Sequence, residues 1–183
     1  MNDQTKVSFG KPKATGAIYV APKGTAVPTD ATTALPVAFK GMGYASEDGL
    51  VNATEADNST VHAWGGDKVL EGQTTFAEMF TVNLIETNVN TLELYYGEDN
   101  VTVTGENIKI TQNKAELPEA VVVFEMVMTG GRIKRIILPR GRITDRSGEL
   151  AYKDGDAISY PAVFVAFPDA DGNTHTEYIA VSA

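Results

Sequence analysis

The stretch FTVNLIETNVNTLELYYG, Phe80 to Gly97, carries the clearest local pattern in the chain. With the residues before it, it alternates: Phe80, Val82 and Leu84 point one way, Met79, Thr81, Asn83 and Ile85 the other. That period of two is the mark of a strand with one face on a core. The second half changes period. Thr87 or Asn88 can cap a helix, Val89, Leu92 and Tyr96 share one side of it, and Gly97 stops it. A helix of about ten residues is too short to hold alone, so it must dock on something apolar. The stretch predicts a sheet with one flanking helix, and it contains no obvious catalytic group.

Further strands read outward from there. GAIYVA (Gly16–Ala21) and Val37–Tyr44 precede it; VTVTG (Val101–Gly105) and NIKITQN (Asn107–Asn113) follow as a pair joined at Gly105. A stronger hairpin joins Val121–Met128 to Ile133–Leu138 across Gly130-Gly131, a turn that tolerates positive φ. Leu150–Asp154 leads to a last pair, Ala162–Phe167 and Thr176–Val181, about the polar DADGN turn. The count of eight or nine strands and one helix predicts a mainly β fold, a sandwich or barrel with the helix on one side. Two segments stand apart. Residues 1–36, punctuated by Gly and Pro, read as an extended arm. Glu47–Gly72 is rich in acid, has a single Lys and no sustained period, and reads as a long loop. Its Trp64 is costly to leave in water, which points to a partner. No linker divides the chain, so residues 1–183 are expected to form one domain.

Composition excludes more than it selects. The net charge of −9 disfavours adhesion to nucleic acid or an anionic membrane. The absence of cysteine removes disulfide, thiolate-metal and cysteine-nucleophile chemistry. The opening MNDQTKVSFGK has no apolar signal-peptide core, and no apolar run reaches membrane-spanning length. The chain therefore reads as a soluble protein made in a cytoplasm, and its sequons at Asn52, Asn58 and Asn100 as ordinary Asn/Thr-rich turns and strands.

The candidates for chemistry are thin. DADGN, Asp169 to Asn173, has the wrong spacing for a calcium loop and reads as a hairpin turn. His62 and His175 lack a second His or acid at metal or triad spacing, leaving only a site assembled in space. The pairs Asp154/Asp156 and Asp169/Asp171 sit in Gly-containing turns, where Asp is common. Basic charge is uneven, with six of fifteen Lys and Arg between Arg132 and Arg146. No aromatics interleave them to stack bases, so the reading is a strand face that meets acid, either solvent-facing or in contact with the acidic segment of another copy.

In order, the chain has a Gly/Pro-rich arm, a strand, a long acidic segment, GQTTFAEMFTVNLIETNVNTLELYYG, the EAVVVFEMVMTGGRIKRIILPRGRIT hairpin and a closing strand pair. This order resembles the major tail protein, or tail tube protein, of long-tailed, non-contractile bacteriophages, over nearly the whole chain. The resemblance implies a β-sandwich with one flanking helix and no enzymatic activity or cofactor. It implies hexameric rings, whose sheets join into an inner barrel, stacked into a tube in the virion tail. The tube would enclose the tape measure protein, meet tail terminator and distal tail proteins, and pass DNA without binding it specifically. Synthesis and assembly would take place in the host bacterial cytoplasm, with no membrane insertion. Contacts between subunits would fall to the arm and to residues 47–73, with Asp48, Asn52, Glu55, Asp57, Trp64, Asp67 and Lys68 as candidates. The basic cluster adds Arg132, Lys134, Arg135, Arg140 and Arg142, and Glu125 and Glu86 are candidates to face the lumen. Three other readings compete: a monomeric β-sandwich that grips a ligand with the Trp64 loop, a hydrolase built on turn acids with His62 or His175, and a tube protein of a contractile tail or secretion system.

Overall fold

A computed structural model describes residues 2–13, 16–145 and 149–180. In chain order the strands are β1 (Gly10–Pro12), β2 (Ile18–Pro22), β3 (Lys40–Gly41), β4 (Ala45–His62) and β5 (Lys68–Leu84). The helix α1 (Val89–Tyr96) follows, then β6 (Val101–Thr104), β7 (Asn107–Ile110), β8 (Ala120–Met128), β9 (Ile133–Asp145), β10 (Tyr160–Ala166) and β11 (Thr176–Ile179). Nine strands form one open antiparallel sheet in the order β3-β2-β8-β9-β10-β5-β4, with β1 on β8 and β11 on β9; β6 and β7 pair separately. The fold is mainly β with one helix, as the sequence predicts.

The sheet curls. In strand order β8 and β5 are three steps apart, which would be about 14 Å in a flat sheet. Their Phe124 and Phe80 rings nevertheless stack with centroids 5.7 Å apart, and Phe164 of β10 meets Phe124 edge-on at 5.9 Å. One face therefore closes on itself, and Phe80, Val82, Leu84, Val122, Phe124, Leu138, Ala162 and Phe164 fill it. The alternation read in Phe80–Leu84 is this face: β5 pairs with β10 from Glu78 to Leu84, with Phe80 opposite Phe164. β8, central in the sheet, is buried without a break from Val121 to Glu125, as a β-branched run covered on both sides should be.

Helix α1 closes one end of the curl. The Asn88 side chain accepts from the Thr91 amide at 2.9 Å, and the Gly97 amide (φ 99°) bonds back to the Glu93 carbonyl. The buried residues are Thr91, Leu92 and Tyr95, whereas Val89 and Tyr96 are half-buried. The docked face is thus turned from the expected Val89–Leu92–Tyr96 stripe. The cause is local: the Thr91 hydroxyl donates to the Met42 carbonyl at 2.7 Å, and Tyr95 packs edge-on against Tyr160 at 5.5 Å.

The opposite sheet face is covered by the chain's beginning. Leu35 and Phe39 pack on Ala21, Val121, Val123 and Ile137. Within the segment expected as an arm, β2 pairs with β8 and buries Ile18 and Ala21, and Ala31 is buried too, so this part belongs to the body. Asp30 organises its loop by accepting from the Thr33 hydroxyl and from the Thr33 and Thr32 amides, which hold its carboxyl well below the usual range. Of the expected Val37–Tyr44 strand only Lys40–Gly41 pairs, and Val37 is fully exposed. The strand expected to end at Val181 ends at Ile179; Val181 lies outside the described residues.

Candidate functional site

The segment read as a long loop is a hairpin. β4 and β5 pair along their length, from Ala45 opposite Leu84 to His62 opposite Lys68, and Ala63–Asp67 form the turn with Gly65 (φ 119°) and Gly66 (φ 97°). The missing period has two causes. β4 is exposed on both faces from Val51 to His62, so no core imposes apolar alternation. The register also shifts, between Ala45 and Leu50, at Asp57/Asn58 and at Val61/His62, and each odd shift swaps the faces. The shift at Asp57 is stitched by its own side chains: the Thr75 hydroxyl donates to the Asp57 carboxylate (2.8 Å), and the Thr74 hydroxyl to the Asp57 carbonyl (3.1 Å).

The last β5 residue paired with β10 is Glu78. From Ala77 to Lys68 its only ladder partner among the described residues is β4, so a two-stranded finger projects roughly 33 Å beyond the last β5–β10 pair at 3.3 Å per residue. An isolated pair of strands is marginal in water, and both its edges offer unpaired amides and carbonyls to another chain. Chemistry divides along its length. The shaft, Thr54–Thr60 and Glu71–Thr75, is Thr, Asn, Ser, Gln, Gly, Ala and acid. The tip is apolar: Val61, Val69 and Leu70 are at least half exposed, and Trp64 is fully so.

The base of the finger is locked by a residue that sequence reading missed. Glu78 is 2% exposed, and its carboxylate accepts from Asn52 (2.9 Å) on β4 and from Thr174 and His175 (2.9 Å) before β11. Burial alone would raise its pKa, but the bonds from Asn52, Thr174 and His175 together hold it below the usual carboxylate value. His175 stands between two acids, Glu78 at 2.9 Å and Glu177 at 4.0 Å, and the shorter pair anchors the finger to the last loop of the sheet. His62 sits on the finger opposite Lys68. Among the described residues, no group of three His, Cys, Asp or Glu is disposed to hold a metal, and no helix is long and apolar enough to cross a membrane.

The other finger candidates fall along it. Asp48 lies in the first register shift and accepts from Ser46 (2.9 Å) and Asn83 (3.0 Å). Glu55, Asp57, Asp67 and Lys68 are exposed, and Lys68 pairs with Glu71 at 2.6 Å. The basic cluster behaves differently, because acids of its own chain meet it. Lys134 pairs with Glu177 (2.8 Å), and Arg142 with Glu116 (2.8 Å). Arg140 grips both oxygens of Glu119 (2.8 and 3.1 Å) and donates to the Pro168 carbonyl. With Lys23 on its other side, the Glu119 carboxyl is held down to about 2. Arg132 donates to Ser8 and to the Thr129 carbonyl. Arg146 lies outside the described residues.

Two candidates need correcting outright. Glu125 and Arg135 are 2% and 1% exposed and bond to each other, with Lys13 closing on Glu125 at 2.8 Å. Arg135 also donates to the Asp30 and Thr33 carbonyls (2.7 and 2.8 Å), pinning the arm to the sheet. An acid and a guanidinium on neighbouring strands neutralise each other inside the body, so Glu125 presents no charge to a lumen and Arg135 none to a neighbour. Glu86 remains half-buried, and its carboxylate accepts from the Tyr44 amide (3.1 Å) and from the Asn88 side chain (3.1 Å).

The described residues thus form an open β sheet with a long two-stranded finger projecting from it. No curated protein matches the sequence. A family model described as phage tail tube protein matches residues 11–182, nearly the whole chain. The protein therefore belongs to the phage tail tube protein family, structural proteins that multimerise into the tube of the virion tail.

Proposed function

We propose that the chain is a tail tube subunit of a long-tailed, non-contractile phage, a single tail-tube unit over residues 1–183 with an arm (1–36) and an assembly hairpin (47–73). Subunits join edge to edge into hexameric rings, and the rings stack into the conduit for genomic DNA at ejection. The finger supports this reading most directly: some 33 Å of two-stranded ladder with both edges open and an apolar tip is stable only against neighbours. The sheet supports it too. β4 exposes one edge and β3 the other, so copies can add in one direction without exhausting either. A net charge of −9 suits a channel that must let phosphates slide. Glu86 is the remaining candidate to face that channel. Tape measure, terminator and distal tail proteins would complete the tail, assembled in the host bacterial cytoplasm.

Negative-stain electron microscopy of the purified protein over a wide concentration range tests the reading. Rings of sixfold symmetry, or tubes with a central channel, are expected. Monomers at every concentration, with finger amides already protected from exchange, would favour a ligand-gripping β module instead.

A further inference from the structure

The apolar fingertip has a counterpart elsewhere on the body. A groove of about 380 Å³ opens between α1, β2–β3 and the segment 117–120. Its floor includes Met42, Ile143 and Phe164, core residues that are 2%, 5% and 1% exposed, and Leu94 forms part of its wall. The groove is a surface depression whose bottom reaches down to the packed core rather than a void within it. The rim is polar: Lys40 pairs with Glu93 (3.1 Å), and Lys23 with Glu119 (2.9 Å).

We infer that this groove receives the Trp64 fingertip of a second copy. This rests on the tube reading and names the receiving site within it. The chemistry matches at each part of the indole. Its ring would cover the apolar floor, its N–H needs an acceptor once buried, and the carboxylates of Glu93 and Glu119 stand at the mouth. Lys40 and Lys23, each more than half exposed, can lie over its face. Val61 and Leu70, opposite one another in the ladder, present a second apolar pair just behind the tip. A chain cannot fill its own groove: the tip lies roughly 33 Å beyond the last β5–β10 pair, at the start of β5, whereas the groove is walled by α1, which follows the end of β5. Finger and groove, two different patches of one chain, make a heterologous contact, which propagates from copy to copy.

The sequence simplifies the test, since it holds one tryptophan and no cysteine. Full-length protein carrying Ala63→Cys beside the tip and Lys40→Cys at the groove mouth, both exposed positions, is oxidised under conditions in which microscopy shows assembly. A ladder of covalent oligomers is expected on a denaturing gel, with neither single variant passing dimer. Trp64 emission in the unmodified protein should move to shorter wavelength on assembly, and Leu94→Glu should remove that shift. Assembly without a ladder, or a blue shift that survives Leu94→Glu, would overturn the groove while leaving the tube reading intact. Absence of both assembly and ladder at every concentration would overturn both.

Discussion

The chain contains two long antiparallel hairpins that differ in what surrounds them. β8–β9 crosses the middle of the sheet, flanked by β1 and β2 on one edge and by β10 and β11 on the other, with the helix side and the arm on its faces. β4–β5 extends past the Glu78–Ala166 pair, and beyond it no further strand among the described residues pairs with either of its edges. In the first, β-branched side chains and a neutralised Glu125–Arg135 pair make a ladder that is complete within one subunit. In the second, the ladder is long but broken by three register shifts, and beyond its base its outer edges take no strand partner among the described residues. The difference separates what holds one subunit together from what is left over for others: the body hairpin is complete within the subunit, and in the proposed tube the finger is the part that joins copies.

Replacing Glu55–Ala77 by a two-residue turn breaks the comparison most completely. It keeps the Thr54–Glu78 pair at the base, so circular dichroism and melting temperature should hardly move while rings and tubes disappear from micrographs. Arg135→Ala acts on the other side of the comparison. It leaves Glu125 buried without its guanidinium and frees the arm loop, and denaturant unfolding should show a loss of about 3–5 kcal/mol. Glu78→Gln sharpens the boundary between the two regions. Losing the charge that three donors surround should cost about 1–3 kcal/mol in the same measurement and speed amide exchange at the finger base ahead of β8.

Acid should reveal a smaller, graded effect in the body. Glu119 is held down to about 2 from an ordinary value of 4.5, and Glu78 is also lowered. A carboxylate depressed in the folded state stabilises above its unfolded pKa and loses that contribution as pH falls through its folded one. Unfolding free energy should therefore be level above about pH 5 and decline from about 4.5 toward 2. Glu119→Gln should flatten that decline. At the small end, Thr60→Ala on the exposed shaft should change subunit stability by less than about 0.5 kcal/mol.

The same contrast explains what the sequence made legible. Phe80–Leu84 announces its strand because a curled sheet buries alternate residues, and Asn88 and Gly97 announce the helix ends because caps are local chemistry. Gly130-Gly131 marks the central turn for the same reason. The finger was invisible as a hairpin because nothing in its own chain selects one face, and three register shifts scramble what order remained. Trp64 nevertheless stood out in the sequence, and in the structure its side chain is fully exposed at the tip. The burial of Glu125 and Arg135 was hidden, since charge on a strand reads as surface until the opposite charge on the next strand is known. Glu78 carried no signal at all: its donors lie 26, 96 and 97 positions away.

The most direct measurement is amide exchange compared between the dispersed subunit and the assembled material, read separately for residues 51–77 and for β8–β9. The account predicts fast exchange of the finger in the subunit and strong protection on assembly, with β8–β9 slow in both. A finger that exchanges equally fast in assembled tubes, or that is already protected in the lone subunit, would contradict it.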